Sequence, residues 1–389
     1  MNNGKGCVTG DIGIALSGGG VRAAAFHAGV LRYLAEQGLL EKVVHVSSVS
    51  GGSLFVGIVF QHGNYKWPSS EAYLQEVFPH IRKTLTTQSL QCSAFLRLMF
   101  NPFNWRFILS RANVLAQAIH SAWDIKQPLS ALPSAPVWSI NCTTGETGRR
   151  YRFKNGTMGD YELGYADVNN FDIARAMAIS AAFPGGIGPL TLKVKQFQWK
   201  KRKQWNAPQP ELYKPPFSCL HLYDGGLYDN LGIEPMFNVG QQSLKDDETL
   251  PSDITCLLVS DGGSPLSRKS IPRPLNPFRF KRIADIAFDQ CRALRVRVFI
   301  NFLQKNPSAG AYLGIGSVAE SSIKEFLKDR ETLAQKLLSR SWLSTDEVKR
   351  AATYSTTLRR LRAPTFDLLE RHGYETAMWN MEMMSPGSI

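Results

Sequence analysis

Ser50, in the run Ser48-Val49-Ser50-Gly51-Gly52, is the residue best placed in this sequence to act as a nucleophile. In the G-x-S-x-G arrangement a serine sits on a sharp strand-to-helix turn, flanked by glycines because side chains there would meet neighbouring backbone. Ser48 stands where the first glycine is usual; it is small enough for the turn, and Gly51 and Gly52 follow the serine. The same cluster also reads as helix N-capping, for which Ser47, Ser48, Ser50 and Ser53 all qualify. Upstream, Gly18-Gly19-Gly20 follows a short strand-like run and precedes a helix pattern. Glycines there expose backbone N–H groups at the positive end of a helix, which suits a phosphate cradle or an oxyanion hole. Downstream, Asp224-Gly225-Gly226 sets a carboxylate in a tight turn, although Asp-Gly turns are also frequent without any chemistry. A serine hydroxyl needs a base within hydrogen-bond reach, and Asp224 can be that base.

The phosphate alternative is testable on spacing. Gly18-x-Gly20-x-x-Ala23 fits the dinucleotide fingerprint, which calls for an acidic residue about 20 positions on, at the C-terminal end of the next strand. Glu41 has that spacing but precedes the strand-like run Val43 to Ser47, whose far end carries serines instead. The cofactor reading weakens accordingly.

The elements that must hold these residues follow an α/β pattern. Ile12 to Leu16 reads as a short buried strand, and Phe26, Val30 and Leu34, with Leu31 beside them, mark an amphipathic helix that Gly38 ends. Val43 to Ser47 is the next strand, and Leu54 to Phe60 is apolar nearly all round, as a helix buried under a sheet must be. Strand, crossover helix and parallel strand form the unit of such folds. Further strands are expected at Pro136 to Cys142 and Thr255 to Ser260, and a packed helix over Phe171 to Ala182, stopped by Pro184-Gly185-Gly186. Residues 85 to 125 form a helical, aromatic-rich insertion in which Phe95, Phe100, Phe103, Trp105 and Phe107 alternate with Arg97 and Arg106. Residues 195 to 216 carry Trp199, the basic run Lys200-Lys201-Arg202-Lys203, and Trp205. The expected division is a catalytic domain over 10–265 and a basic, mainly helical region over 266–389 packed on it.

The 389 residues, 43% hydrophobic and 20% charged, suffice for a sizeable core and argue against disorder as the dominant state. A net charge of +13 favours anionic partners, nucleic acid or membrane. Six scattered cysteines (Cys7, Cys92, Cys142, Cys219, Cys256, Cys291) lack metal-ligand spacing and read as buried reduced thiols. Met1 to Thr9 lacks the arrangement of a secretory signal, and no apolar run approaches the ~18 residues of a membrane span, so a cytoplasmic chain visiting membrane surfaces is expected.

Ser17-Gly18-Gly19-Gly20-Val21-Arg22, Ser48-Val49-Ser50-Gly51-Gly52-Ser53 and Asp224-Gly225-Gly226 together resemble the patatin-like phospholipases, relatives of the cytosolic phospholipase A2 catalytic domain. Ser180-Ala181-Ala182-Phe183-Pro184 and Tyr228-Asp229-Asn230-Leu231-Gly232-Ile233-Glu234-Pro235 also look like segments of that family. The resemblance covers about residues 11 to 265, with Ser48 and Ala23 departing from the more usual glycines. It implies a three-layer α/β/α fold with a largely parallel sheet, and hydrolysis of lipid carboxyl esters by a Ser-Asp dyad without histidine. It favours Asp224 over the second Asp-Gly-Gly at Asp261, because Tyr228-Asp229-Asn230-Leu231-Gly232 follows Asp224.

Histidine placement agrees with a dyad. A Ser-acid-His order would leave only His372 after Asp224, in what reads as a helix terminus, while His27 is expected to be a core residue. The expected site is therefore Ser50 and Asp224, with an oxyanion hole at Gly18, Gly19 and Gly20, and Arg22 facing a lipid phosphate or steadying the loop. No metal or other cofactor is called for. The expected partner is membrane or micellar lipid with an anionic surface, met through residues 85 to 125 and Lys200 to Lys203. Nucleic acid is not expected, since no aromatic-basic platform of a known motif is present. A lipid acyltransferase with the same dyad and a catalytically silent lipid-binding protein are the alternatives.

Overall fold

Ile-Gly-Ile-Ala-Leu is too short and too apolar for a surface element, and it forms the buried strand β1 (Ile12–Leu16). The computed structural model describes residues 10–384 apart from 185, 204–208, 248–249, 251, 267, 274–275 and 277. Met1 to Thr9 with Cys7, as well as Gly185 and Trp205, lie outside the described residues. From β1 the chain runs into α1 (Gly20–Glu36), which ends at Gly38 with φ 65°. Strand β2 (Val43–Val49) and helix α2 (Gly51–His62) complete the first crossover unit.

Three helices then leave the sheet and return to it. A short turn α3 (Ser70–Ala72) and α4 (Phe78–Thr87) lead to α5 (Leu90–Phe100), a 3-10 turn at Pro102–Phe107, and α6 (Ala112–Ala122). Strand β3 (Val137–Thr144) resumes the sheet, followed by the meander β4 (Arg150–Lys154), β5 (Thr157–Asp160) and β6 (Gly164–Asp167). After α7 (Ile173–Ser180) come β7 (Leu190–Lys193), β8 (Trp199–Lys201), β9 (Glu211–Tyr213), β10 (Cys219–Asp224) and the single turn α8 (Gly226–Asp229). A small ribbon, β11 (Phe237–Asn238) with β12 (Ser243–Leu244), precedes β13 (Cys256–Asp261). The remaining chain supplies α9 (Phe278–Lys305), β14 (Gly310–Gly314), α10 (Ala319–Phe326), α11 (Glu331–Leu338), α12 (Thr345–Thr353) and α13 (Ala363–Met384).

The main sheet runs β14-β13-β1-β2-β3-β4-β5-β6-β8-β9, with β10 joined to the end of β3 and β7 to β10. The pairs from β14 through β3 are parallel; β4 to β10 are antiparallel additions. Side chains alternate across β1: Ile12, Ile14 and Leu16 enter a core shared with α1, α2, α7 and α13, while Ala15 enters a second core with Phe299 and Phe302 of α9. A sheet apolar on both faces needs helices on both, and the three-layer α/β/α expectation is met.

Helix α1 departs from the amphipathic expectation: it is buried on nearly every side, with Arg32 half-buried and Glu36 exposed. Its outer face is covered by α13. A Cβ on Gly29 would lie 1.8 Å from the Glu370 carbonyl oxygen, and one on Gly373 would lie 1.9 Å from that of Phe26. The two backbones therefore touch at a pair of glycines, which larger residues would force apart. The cysteines also divide: Cys142 and Cys256 are buried as expected, but Cys92 and Cys291 are exposed.

Candidate active site

The C-terminal ends of the parallel strands gather the predicted residues. Leu16 pairs with Ser48 on one side and Ser260 on the other, so the segments following β1, β2 and β13 emerge side by side. Asp224 pairs with Cys142 near the same edge. The carboxyl ends of strands in an open α/β sheet are where such folds place ligands.

Ser50 precedes α2 with φ 50° and ψ −114°, a positive-φ conformation that costs a non-glycine residue about 1–3 kcal/mol and is held by its surroundings. Its N–H donates to Ser180 Oγ at 3.0 Å, and Ser180 Oγ donates to the Asn141 carbonyl at 2.7 Å. Beneath it, Ser48 Oγ accepts from the Trp138 indole at 2.8 Å and meets Ser53 Oγ at 2.9 Å, which in turn meets Ser180 Oγ at 2.8 Å. The hydroxyl that replaces the usual glycine is thus fully engaged. Gly51 has a different reason: a Cβ there would lie 2.3 Å from the Gly20 carbonyl oxygen, so the elbow and the glycine loop can approach only without side chains. The second departure, Ala23, is accommodated by Gly262, where a Cβ would fall 2.7 Å from that of Ala23.

Asp224 is 4% exposed. Its backbone N–H donates to Ala182 O at 3.1 Å, and its carboxylate Oδ1 accepts from the Gly226 N–H at 2.8 Å. Burial pushes the carboxyl up to about 6, against hydrogen bonds from the Gly226 N–H and the Ser50 hydroxyl that hold it down. A carboxylate poised near neutrality beside a serine hydroxyl has the affinity for protons that a general base requires.

The glycine loop needs a correction. The Gly18 N–H donates to the Asn230 carbonyl at 3.0 Å and is not offered to a ligand. The Gly19 and Gly20 N–H groups have no acceptor among the described residues and stand at the start of α1, where the helix dipole adds positive potential. Of the three glycines expected to form an oxyanion hole, Gly19 and Gly20 are left with N–H groups to offer. Arg22 also moves. It is 1% exposed, and its guanidinium donates to Gly262 O at 3.0 Å, Tyr354 O at 2.5 Å and Thr356 Oγ1 at 3.1 Å. It braces the loop against the C-terminal segment and does not face a lipid phosphate.

Asp261 is occupied elsewhere. Its carboxylate accepts from Arg292 Nε at 2.7 Å, the Tyr312 hydroxyl at 2.6 Å and the Gly263 N–H at 2.9 Å. Burial works to raise its pKa, but the Arg292 charge and these hydrogen bonds outweigh it and hold the group below the usual carboxylate range. Removing one partner of a buried pair strands the other, so Asp261→Asn is expected to destabilise the fold by about 3 kcal/mol. Thermal unfolding checks this, and turnover per folded molecule is expected to stay near that of the wild type.

The histidines do not enter. His27 is fully buried under the loop, with Nδ1 2.7 Å from Ser260 Oγ and Nε2 3.0 Å from Ser17 O, and burial pushes it down to about 4. His372 contacts Ile315 O at 2.5 Å, and His221 contacts Glu146 at 2.5 Å. Among the described residues none of the three hydrogen-bonds Ser50 or Asp224. Glu41, the acid of the dinucleotide alternative, accepts from the N–H and hydroxyl of Ser70 at 2.6 Å each.

Three contributors carry no assignment from sequence. Ser180 and Asn230 lie inside segments already singled out, but their roles depend on which backbone groups they meet. Thr357, whose carbonyl accepts the Val21 N–H at 3.0 Å and presses on Gly20, leaves no sequence signal, because every residue has a carbonyl.

A serine elbow at the end of a parallel strand, in a three-layer α/β/α fold, is the architecture of the serine hydrolase class. The family model described as patatin-like phospholipase matches residues 14–237, more than half of the chain, and the chain belongs to that family. Among solved structures it is similar to human GIVD cytosolic phospholipase A2, with TM-score 0.50 and 13% identity over 100% of this chain and 64% of the other. The complex of that human enzyme with methyl gamma-linolenyl fluorophosphonate and terbium chloride gives TM-score 0.49 and 15% identity over 100% and 60%. VipD from Legionella pneumophila gives TM-score 0.35 and 13% identity over 96% and 67%. The first likeness shows the fold, and the chain spans 64% of that protein's length. No curated protein matches the chain.

Proposed function

We propose that this protein is a serine acyl hydrolase that cleaves fatty-acyl esters of phospholipids, lysophospholipids or related lipids through a Ser50–Asp224 dyad. The observation that carries the reading is the Ser50 hydroxyl acting on a buried Asp224 carboxyl whose pKa lies at about 6. Asp224 takes the hydroxyl proton as Ser50 Oγ attacks the ester carbonyl. The Gly19 and Gly20 N–H groups hold the oxyanion, a contribution worth roughly 10²–10³ in turnover for each donor. Collapse of the tetrahedral intermediate expels the alcohol, which receives the proton from Asp224. A water molecule, deprotonated by the same carboxylate, then attacks the acyl-Ser50 ester; the fatty acid is released and Ser50 Oγ recovers its proton from Asp224. The five described cysteines are all free thiols, which suits work in a reducing, cytoplasmic compartment at a membrane surface.

The test is a product assay with acyl-labelled phospholipid. The proposal expects free fatty acid and a deacylated lipid in equal amounts, both lost in Ser50→Ala. Label accumulating in a new ester would instead identify an acyltransferase, and no turnover of any lipid class would leave a silent binding protein.

A further inference from the structure

Helix α5 buries Leu90 and packs Ala94 against the core, yet its opposite side is apolar as well. Its outward stripe is Cys92, Phe95, Leu96, Met99 and Phe100, at the i, i+3, i+4, i+7 spacing that ordinarily faces a core. Phe100 at its end is 81% exposed, and the chain beyond continues it with Phe103 80% and Leu109 85% exposed. Large side chains exposed together in this way mark an interaction surface. Beneath this surface Asn104 of the following turn and Gln117 of α6 exchange hydrogen bonds at 2.9 and 3.0 Å, and Arg97 Nη2 donates to Ser121 Oγ at 2.5 Å.

The stretch that carries this surface is basic, although Arg82 within it pairs with Asp367 at 2.9 Å. No aspartate or glutamate occurs between Glu76 and Asp124, while Arg82, Lys83, Arg97, Arg106 and Arg111 fall in that stretch. At the N-terminal end of α5 a cavity of about 620 Å³ is lined by Thr86, Ser89, Cys92, and the exposed Arg359, Arg360 and Arg362. By contrast, the lysine run expected to share the lipid contact is met locally. Lys200 pairs with Asp167 at 3.3 Å, Lys203 pairs with Glu211 at 2.8 Å, and Lys201 donates to Glu162 O at 2.6 Å.

The surface is tied to the site at two points. Ser110 Oγ donates to Pro189 O at 2.6 Å, and the segment 180–189 begins at Ser180, which holds the Ser50 N–H. On the other side, the strap 354–362 braces Arg22 and the start of α1, then pairs Leu358 O with the Gln91 N–H of α5 at 3.1 Å. A membrane held against α5 therefore lies against the segments that shape the nucleophile and the oxyanion loop.

We propose that the protein docks on an anionic lipid bilayer through the outward face of α5 and the turn that follows, with Arg359, Arg360 and Arg362 meeting lipid phosphate. Interfacial helices combine an apolar face buried at the acyl boundary with basic side chains at the headgroups, and this face supplies both. The proposal rests on reading the chain as a lipid hydrolase, but its test is separate. The full-length chain is cosedimented with phosphatidylglycerol vesicles and with phosphatidylcholine vesicles, at about 0.1 M salt so that surface charge still acts. Wild type and Ser50→Ala are expected to bind the anionic vesicles at least roughly tenfold more tightly than the neutral ones. Phe100→Glu with Phe103→Glu, and Arg359→Gln with Arg360→Gln and Arg362→Gln, are expected to weaken that binding by roughly tenfold or more, with unchanged thermal unfolding. Unchanged vesicle binding by either variant, or no preference for anionic lipid in the wild type, would overturn the docking surface. A wild-type dimer dissolved by the phenylalanine variant without loss of vesicle binding would overturn it too, and assign the face to a second copy of the chain. Failure of the hydrolase reading shows separately, as wild type that binds vesicles and turns over no ester.

Discussion

With Ser50 replaced by alanine, release of fatty acid from phospholipid is expected to fall by roughly 10⁴ to 10⁶, the loss that follows removal of a nucleophile acting with its base as a unit. The fold should survive, because the interactions that build the elbow use the Ser50 backbone and not its hydroxyl: its N–H binds Ser180 and its carbonyl receives the Leu54 N–H. Ser50→Gly separates strain from chemistry. At φ 50° glycine relieves the positive-φ penalty, so this variant is expected to be equally inactive yet more stable than Ser50→Ala by about 1 kcal/mol. Equal stabilities by denaturant titration would mean that the elbow is not strained.

Asp224→Asn carries the second large effect, on two observables. With Asp224 as the proposed proton acceptor for Ser50, its loss is expected to reduce kcat by about 10³ or more. In the wild type, kcat/KM should rise as pH passes about 6, since the base works only when ionised. The stability effect runs the other way. The folded carboxyl titrates at about 6, above its ordinary value of 3.8, so the folded state holds this proton more tightly than the unfolded chain does. The associated stabilisation is full below about pH 4 and is lost as pH rises through about 6; the shift corresponds to about 3 kcal/mol. The asparagine side chain of the variant cannot titrate. The difference in unfolding free energy between variant and wild type is therefore expected to move by about that amount in favour of the variant between about pH 4 and pH 7. A difference independent of pH would place the Asp224 carboxyl in an ordinary, solvated setting.

The residues of the proposed dyad were legible because its chemistry and its geometry need the same residue types. A strained turn pressed against a second loop requires glycines at positions 18 to 20 and 51 to 52, and these surround the residues that react. The α/β alternation was legible in the short strand-like runs and the helix patterns between them, and the three layers came with the family resemblance. What escaped depends on distant partners. Phe26, Val30 and Leu34 have the spacing of a half-exposed helix, and nothing local signals that α13, near the far end of the chain, will cover the other face. Arg22 leaves two roles open in the sequence, and the arrival of Tyr354 and Thr356 beside it selects the bracing one. Gly18 loses its place as an oxyanion donor to the carbonyl of Asn230, and a carbonyl leaves no mark in a sequence. The lysines at 200, 201 and 203 look like a membrane-facing cluster until strand pairing brings Glu162, Asp167 and Glu211 to them. Phe100 and Phe103 are read equally well as core or surface, and only the fold shows that they point outward.

The most direct test of the central claim is to treat the full-length protein with an alkyl fluorophosphonate and map the adduct by peptide mass spectrometry. The dyad predicts a single phosphonylated residue, Ser50, with labelling that strengthens as pH rises through about 6 and is strongly reduced in Asp224→Asn. An adduct on another residue, or labelling of Ser50 that is indifferent to both pH and Asp224, would contradict it.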